Sequence, residues 1–80
     1  MLDVTVGPVT SVIDSTTFQI IVTHIGKHNK FRYNTIETIY VIDNKTGYSV
    51  ELLSGFTVRC HVNFRDTYNR LNAIVELSSW

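Results

Sequence analysis

Eighty residues with seven Lys+Arg against seven Asp+Glu make one small, formally neutral chain, which excludes a second domain and a strongly basic nucleic-acid footprint. A chain of this length buries only about 60% of the surface its unfolded form exposes, so its fold depends on closing well. The opening MLDVTVG has an acid and no basic leader region, and no apolar run approaches the roughly 18 residues of a membrane span, so the chain reads as cytoplasmic with no membrane partner.

The apolar pattern has the period of strands almost throughout. Short strands are expected near 3–6 and 9–13, divided by Gly7-Pro8, and a turn at Asp14-Ser15-Thr16-Thr17 leads into FQIIVTHI over 18–25. There Phe18, Ile20 and Val22 share one face while Ile21 and Ile25 break the alternation, which predicts either burial on both faces or a kink at a bulge. After the turn from Gly26 to Asn29, a long strand is expected over 30–41, followed by a turn at DNKTG, Asp43 to Gly47. YSVELL at 48–53 reads as a short helical turn or a further strand.

FTVRCHVNF gives the cleanest alternation, with Phe56, Val58, Cys60, Val62 and Phe64 on one face and Thr57, Arg59, His61 and Asn63 on the other. Cys60 is the sole cysteine, which excludes an intramolecular disulfide and fits a reducing compartment. Its position among apolar neighbours reads as an inert buried thiol. A turn at Asp66 to Asn69 precedes a last strand over 70–77. Strands separated by turn signals every ten residues or so point to an all-β fold, a small five-stranded Greek-key barrel of the OB type over residues 1–80 with at most one short helix. Closure is favoured because open edges in so small a chain would invite pairing with other molecules.

Three stretches resemble the micrococcal (staphylococcal) nuclease-like branch of the OB-fold. VIDSTTFQIIV, Val12 to Val22, is similar to its strand–turn–strand opening around an Asp-Gly-Asp-Thr turn. KFRYNTIET, Lys30 to Thr38, is similar to a Phe-Arg pair followed by an apolar strand and Val-Asp-Thr-Pro-Glu. RDTYNRLNAIVEL, Arg65 to Leu77, resembles an Asp-x-Tyr-Gly-Arg turn followed by a strand with a central Ala. In this order they cover most of the chain from about Val9 to Leu77. The resemblance implies phosphodiester chemistry in which two arginines grip a phosphate and carboxylates hold calcium, a pairing of bidentate donors and hard oxygen ligands with sound general grounds. On that reading Arg32 and Arg70 match the arginines, while Asp14 and Glu37 stand where a weak calcium site would be.

The departures weigh against catalysis. Thr16 replaces the second aspartate of the turn, the place of the general-base glutamate falls near Tyr40, and TIETIYVID lacks the Pro-Glu pair. Glu37 cannot fill both acidic roles, and loss of a general base alone costs about a hundredfold to ten-thousandfold in rate.

Each candidate has a plainer reading beside it. Arg32 pairs with Glu37 or Asp14, and Arg70 is a solvated hairpin residue. Asp66 caps a turn through its side chain, and Asn69 takes a left-handed conformation. His24 and His28 are exposed turn residues, with no third metal ligand at fixed spacing. Lys30, Arg32 and Arg59 with Lys27 and His61 make a modest basic strip, and Tyr33 and Tyr68 are candidate stacking rings, Tyr33 being equally a core residue. The reading is a nuclease-like domain, not catalytic, that binds single-stranded nucleic acid or another phosphate-containing ligand through Arg32, Arg70, Lys30 and Arg59, with no cofactor required. The alternative is a protein-interaction domain, Tudor-like or a small viral or plasmid factor, using Trp80 and exposed aromatics. A minimal calcium-dependent nuclease comes third.

Overall fold

The computed structural model describes residues 3–26 and 32–78. Six strands account for most of them: β1 (Asp3–Asp14), β2 (Thr17–Ile21), β3 (His24–Ile25), β4 (Ile36–Asn44), β5 (Thr57–Arg65) and β6 (Leu71–Leu77), with one 3-10 turn at Val50–Leu52. Their hydrogen-bonded order runs β2-β4-β6-β5-β1-β3, and an additional β2–β1 pairing closes five of them into a ring. β4 and β6 run parallel while the other pairs are antiparallel. The result is the expected closed five-stranded Greek-key barrel of the OB type, with β3 as a short extra strand on β1.

Alternation fills the barrel. Phe18 and Ile20 from β2, Ile39 from β4, Val58, Cys60 and Val62 from β5, and Leu71, Ala73 and Val75 from β6 form one buried cluster with Val9. Val50, the first residue of the 3-10 turn, and Leu53, directly after it, join that cluster at the end of the barrel where β4 stops and β5 starts. Burial pushes the Cys60 thiol up to about 12, so it is the inert thiol that the sequence suggests.

Three expected boundaries change. Gly7-Pro8 does not divide two strands; β1 is continuous and changes partners there, pairing with β3 through Val6, with β5 through Pro8 and with β2 from Val9 on. Gly7 is required because a Cβ there would clash with the Ile21 carbonyl oxygen. The 18–25 strand is kinked: the backbone N–H groups of Val22 and Thr23 donate to Thr35 O and Val6 O, and Ile21 and Ile25 are exposed. The strand expected over 30–41 begins at Ile36 and continues to Asn44, because the Asn34 N–H and side-chain amide turn back onto the Glu37 carboxylate. Its first residues, Lys30 and Phe31, lie outside the described residues. At 48–53 the helical-turn alternative is the one observed.

Phe64 also departs from the alternation. A bulge between Val62 and Phe64 sets Phe64 opposite Asn72 and Arg65 opposite Leu71. Phe64 is therefore exposed, and Arg65 turns toward the interior end of the barrel. Phe56, expected in the core, is exposed as well and stacks on Tyr48 at 5.4 Å between ring centroids.

Candidate functional site

The β5–β6 connection is built around Asp66. Its Oδ1 accepts the backbone N–H groups of Tyr68 and Arg70, both at 2.9 Å, and its Oδ2 accepts Arg70 Nε and Asn72 Nδ2, also at 2.9 Å. Asn69 takes the left-handed conformation, φ 65°, as its residue type predicts. Burial alone would raise the Asp66 carboxyl, but the Arg70 N–H, the Asn72 amide, the Arg70 guanidinium and the Tyr68 N–H outweigh it and bring it down to about 2.

This frame fixes Arg70. Its guanidinium carbon lies 4.4 Å from the centroid of Tyr40 and 5.1 Å from that of Tyr68, so the planar cation rests against two aromatic rings while Asp66 holds its Nε. Neither Nη group bonds to another described residue. Tyr40 reaches Arg70 because it faces outward from β4 in register with Asn72 of β6. Tyr68 is 79% exposed and presents its ring beside the guanidinium. Arg70 is therefore not a freely solvated hairpin residue.

Arg32 belongs to a segment tied to the same turn through Arg65. Arg65 Nη1 donates to Glu37 Oε1 at 3.0 Å and to both the carbonyl and the side-chain oxygen of Asn69 at 3.2 Å. Its Nη2 donates to Glu37 Oε2 at 2.9 Å and to the Arg32 carbonyl at 3.0 Å. The Glu37 side chain is 2% exposed, and its hydrogen bond and charge hold the Arg65 guanidinium still further above its ordinary range. One guanidinium thus joins the backbone at Arg32 to the backbone just before Arg70. The Arg32 side chain is exposed and carries no ion pair among the described residues.

The remaining sequence candidates fall elsewhere. Both oxygens of Glu37 accept from Arg65, so its ion-pair partner is Arg65 and not Arg32. Asp14 caps the β1–β2 turn, its Oδ1 accepting the Thr16 N–H at 2.9 Å and hydroxyl at 3.0 Å, and these bonds hold its carboxyl below the ordinary value. Asp14 adjoins Thr17, which registers with Tyr40, whereas Glu37 registers with Ile20 on the interior face. The two carboxylates are not brought together. Among the described residues no group of three or more His, Cys, Asp or Glu could hold a metal ion.

Arg59 stands opposite Glu76 on the outer face of β5 and β6, 3.9 Å from its carboxylate, and shares it with His61 at 3.1 Å. Glu76 is six residues beyond Arg70 along β6, roughly 20 Å at strand rise, so Arg59 does not extend the Arg32–Arg70 region. Tyr33 donates its hydroxyl to Asp3 Oδ2 at 2.8 Å and packs on the core. Burial and the Asp3 carboxylate push that phenol up, and the ring is not a free stacking platform. Lys30 and His28 lie outside the described residues.

Arg65 and Asn72 were not candidates from sequence. The bulge that turns Arg65 inward and the register that sets Tyr40 beside Asn72 both require strand pairing to be known. No protein-family model, curated protein or solved structure matches the chain.

Proposed function

We propose that this barrel is a binding module for single-stranded nucleic acid or another phosphate-containing ligand, with Arg70 as its principal phosphate contact, Arg32 as the second and Tyr68 as a base-stacking ring. The observation that carries this reading is the Arg70 guanidinium, held by Asp66 and two tyrosines while both Nη groups remain unpaired among the described residues. A preorganised fork loses little freedom on gripping two oxygens of a phosphate. Among the described residues the site is a surface and not a cleft, which suits an extended strand better than a small enclosed molecule. The resemblance to nuclease-like OB domains accords with a chain that keeps the phosphate-gripping half of such a site. With Glu37 taken by Arg65, hydrolysis is not part of the proposal.

Fluorescence anisotropy with a labelled single-stranded oligonucleotide at low salt tests it. Arg70→Ala is expected to weaken binding about tenfold or more, and Tyr68→Ala by a comparable factor, since base stacking is worth about 1–3 kcal/mol. Equal affinity in the wild type and both variants would remove the proposal, and chelator-sensitive cleavage of the oligonucleotide with calcium would replace it by the nuclease reading. The protein-interaction reading has its own support in the exposed Tyr48–Phe56 stack with Leu52 close by in sequence and 62% exposed. Partner capture that tolerates salt and is lost in Phe56→Ser would favour it. Trp80, its other candidate contact, lies outside the described residues.

A further inference from the structure

We propose that Arg65 is a positioning residue: by gripping the carbonyls of Arg32 and Asn69 at once, it sets the spacing between the two phosphate-binding arginines without touching ligand. This rests on the phosphate reading above and extends it to a residue outside the contact surface.

An ion pair that served stability alone would need only the Glu37 carboxylate. Arg65 does more with the same fork. Its Nη1 divides between Glu37 and Asn69, its Nη2 between Glu37 and Arg32, so each nitrogen bonds one carboxylate oxygen and one segment of backbone. The two segments are separated by more than thirty positions in the chain, and neither Arg32 nor Asn69 lies in a strand. Strand pairing therefore does not fix the distance between them. Glu37 acts as the anchor: buried on β4 and bidentate, it prevents the guanidinium from rotating toward either segment. The bulge beside Asn63 is what delivers Arg65 to this place, since regular alternation would point it outward.

A lysine at 65 would keep a positive charge against Glu37 but would lack the planar fork that reaches both carbonyls. Arg65→Lys separates charge compensation from positioning. The experiment measures oligonucleotide affinity for a double-variant cycle, Arg32→Ala, Arg70→Ala and both, in the wild-type and the Arg65→Lys backgrounds, with a thermal melt of each protein. Expected are a roughly tenfold weaker Kd for Arg65→Lys itself, non-additive losses from Arg32→Ala and Arg70→Ala in the wild type, and additive losses in the Arg65→Lys background. Additivity in both backgrounds, unchanged coupling in Arg65→Lys, or an unchanged Kd overturns the inference while leaving the phosphate reading standing. Absence of binding by the wild-type protein overturns both. Should Arg65→Lys not fold at the assay temperature, the same cycle in the E37Q/R65Q variant decides the question, because that pair leaves no buried charge unpaired and still lacks the fork.

Discussion

Asp66 receives four donors on two oxygens, and every one of them sits within six residues of it. Much of this was legible in sequence, because an aspartate followed by an asparagine where the chain must turn left-handed is local chemistry. The second oxygen's partners, Arg70 Nε and Asn72 Nδ2, tie the turn to the proposed phosphate contact. Replacing Asp66 by Asn would set an amide donor against those donors or deprive the two backbone N–H groups of their acceptor. The carboxyl titrates at 3.8 when unfolded and at about 2 in the folded protein. A depressed folded value stabilises fully above the unfolded value and is lost as pH falls through the folded one, so this contribution is complete above about pH 5 and disappears toward pH 2. Asp66→Asn is accordingly expected to melt below the wild type near neutrality, with the difference in Tm shrinking as pH falls from about 5 to about 2. A difference that stays constant over that interval would mean that the carboxylate charge is not what holds the turn.

At the scale of the strand, single-residue irregularities decide where functional side chains point. The β5 bulge turns Arg65 inward to Glu37, and removing Arg65 leaves the Glu37 carboxylate buried and unpaired. Arg65→Met is expected to destabilise the barrel by about 3 kcal/mol, most of it the penalty of an uncompensated Glu37, measurable as a lower midpoint in urea denaturation. A midpoint within a few tenths molar of the wild type would show that water reaches Glu37 freely. Gly7 plays a comparable part in β1: a methyl group there meets backbone and not a yielding side chain, so Gly7→Ala is expected to cost about 3 kcal/mol by the same measurement. The strand pattern, the closed barrel and the buried thiol were readable because side-chain alternation has a period of two wherever a strand is regular. The bulge at 62–64 and the partner change at Gly7-Pro8 are the places where that period breaks, and a one-residue shift sends every later side chain to the other face. Phe64 was misplaced for that reason, and the role of Arg65 was not legible. Arg32 and Arg70 were paired in sequence only through a family resemblance; the link between their segments passes through the residue that the bulge redirected.

The molecule as a whole has no net charge, so its attraction for a polyanion must be local. The described cations sort cleanly. Lys45 lies 3.5 Å from Asp43, Arg59 is shared with Glu76, Arg65 is taken by Glu37, and Arg70 uses one nitrogen on Asp66. Arg32 and the two Nη groups of Arg70 are what this part of the chain leaves for phosphate. For a single strand each phosphate contact contributes about 0.7 to the slope of log affinity against log salt concentration, so two contacts give a slope near −1.4. Arg70→Ala should bring it to about −0.7, and Arg59→Ala should leave it unchanged, because that arginine stands apart on the β5–β6 face beside Glu76. Binding titrations at several salt concentrations between about 20 and 200 mM separate this two-point grip from a diffuse field, which would give a steeper slope that every arginine replacement lowers equally. A slope of −3 or beyond in the wild type, with Arg59→Ala as damaging as Arg70→Ala, would place the binding surface on another face of the barrel.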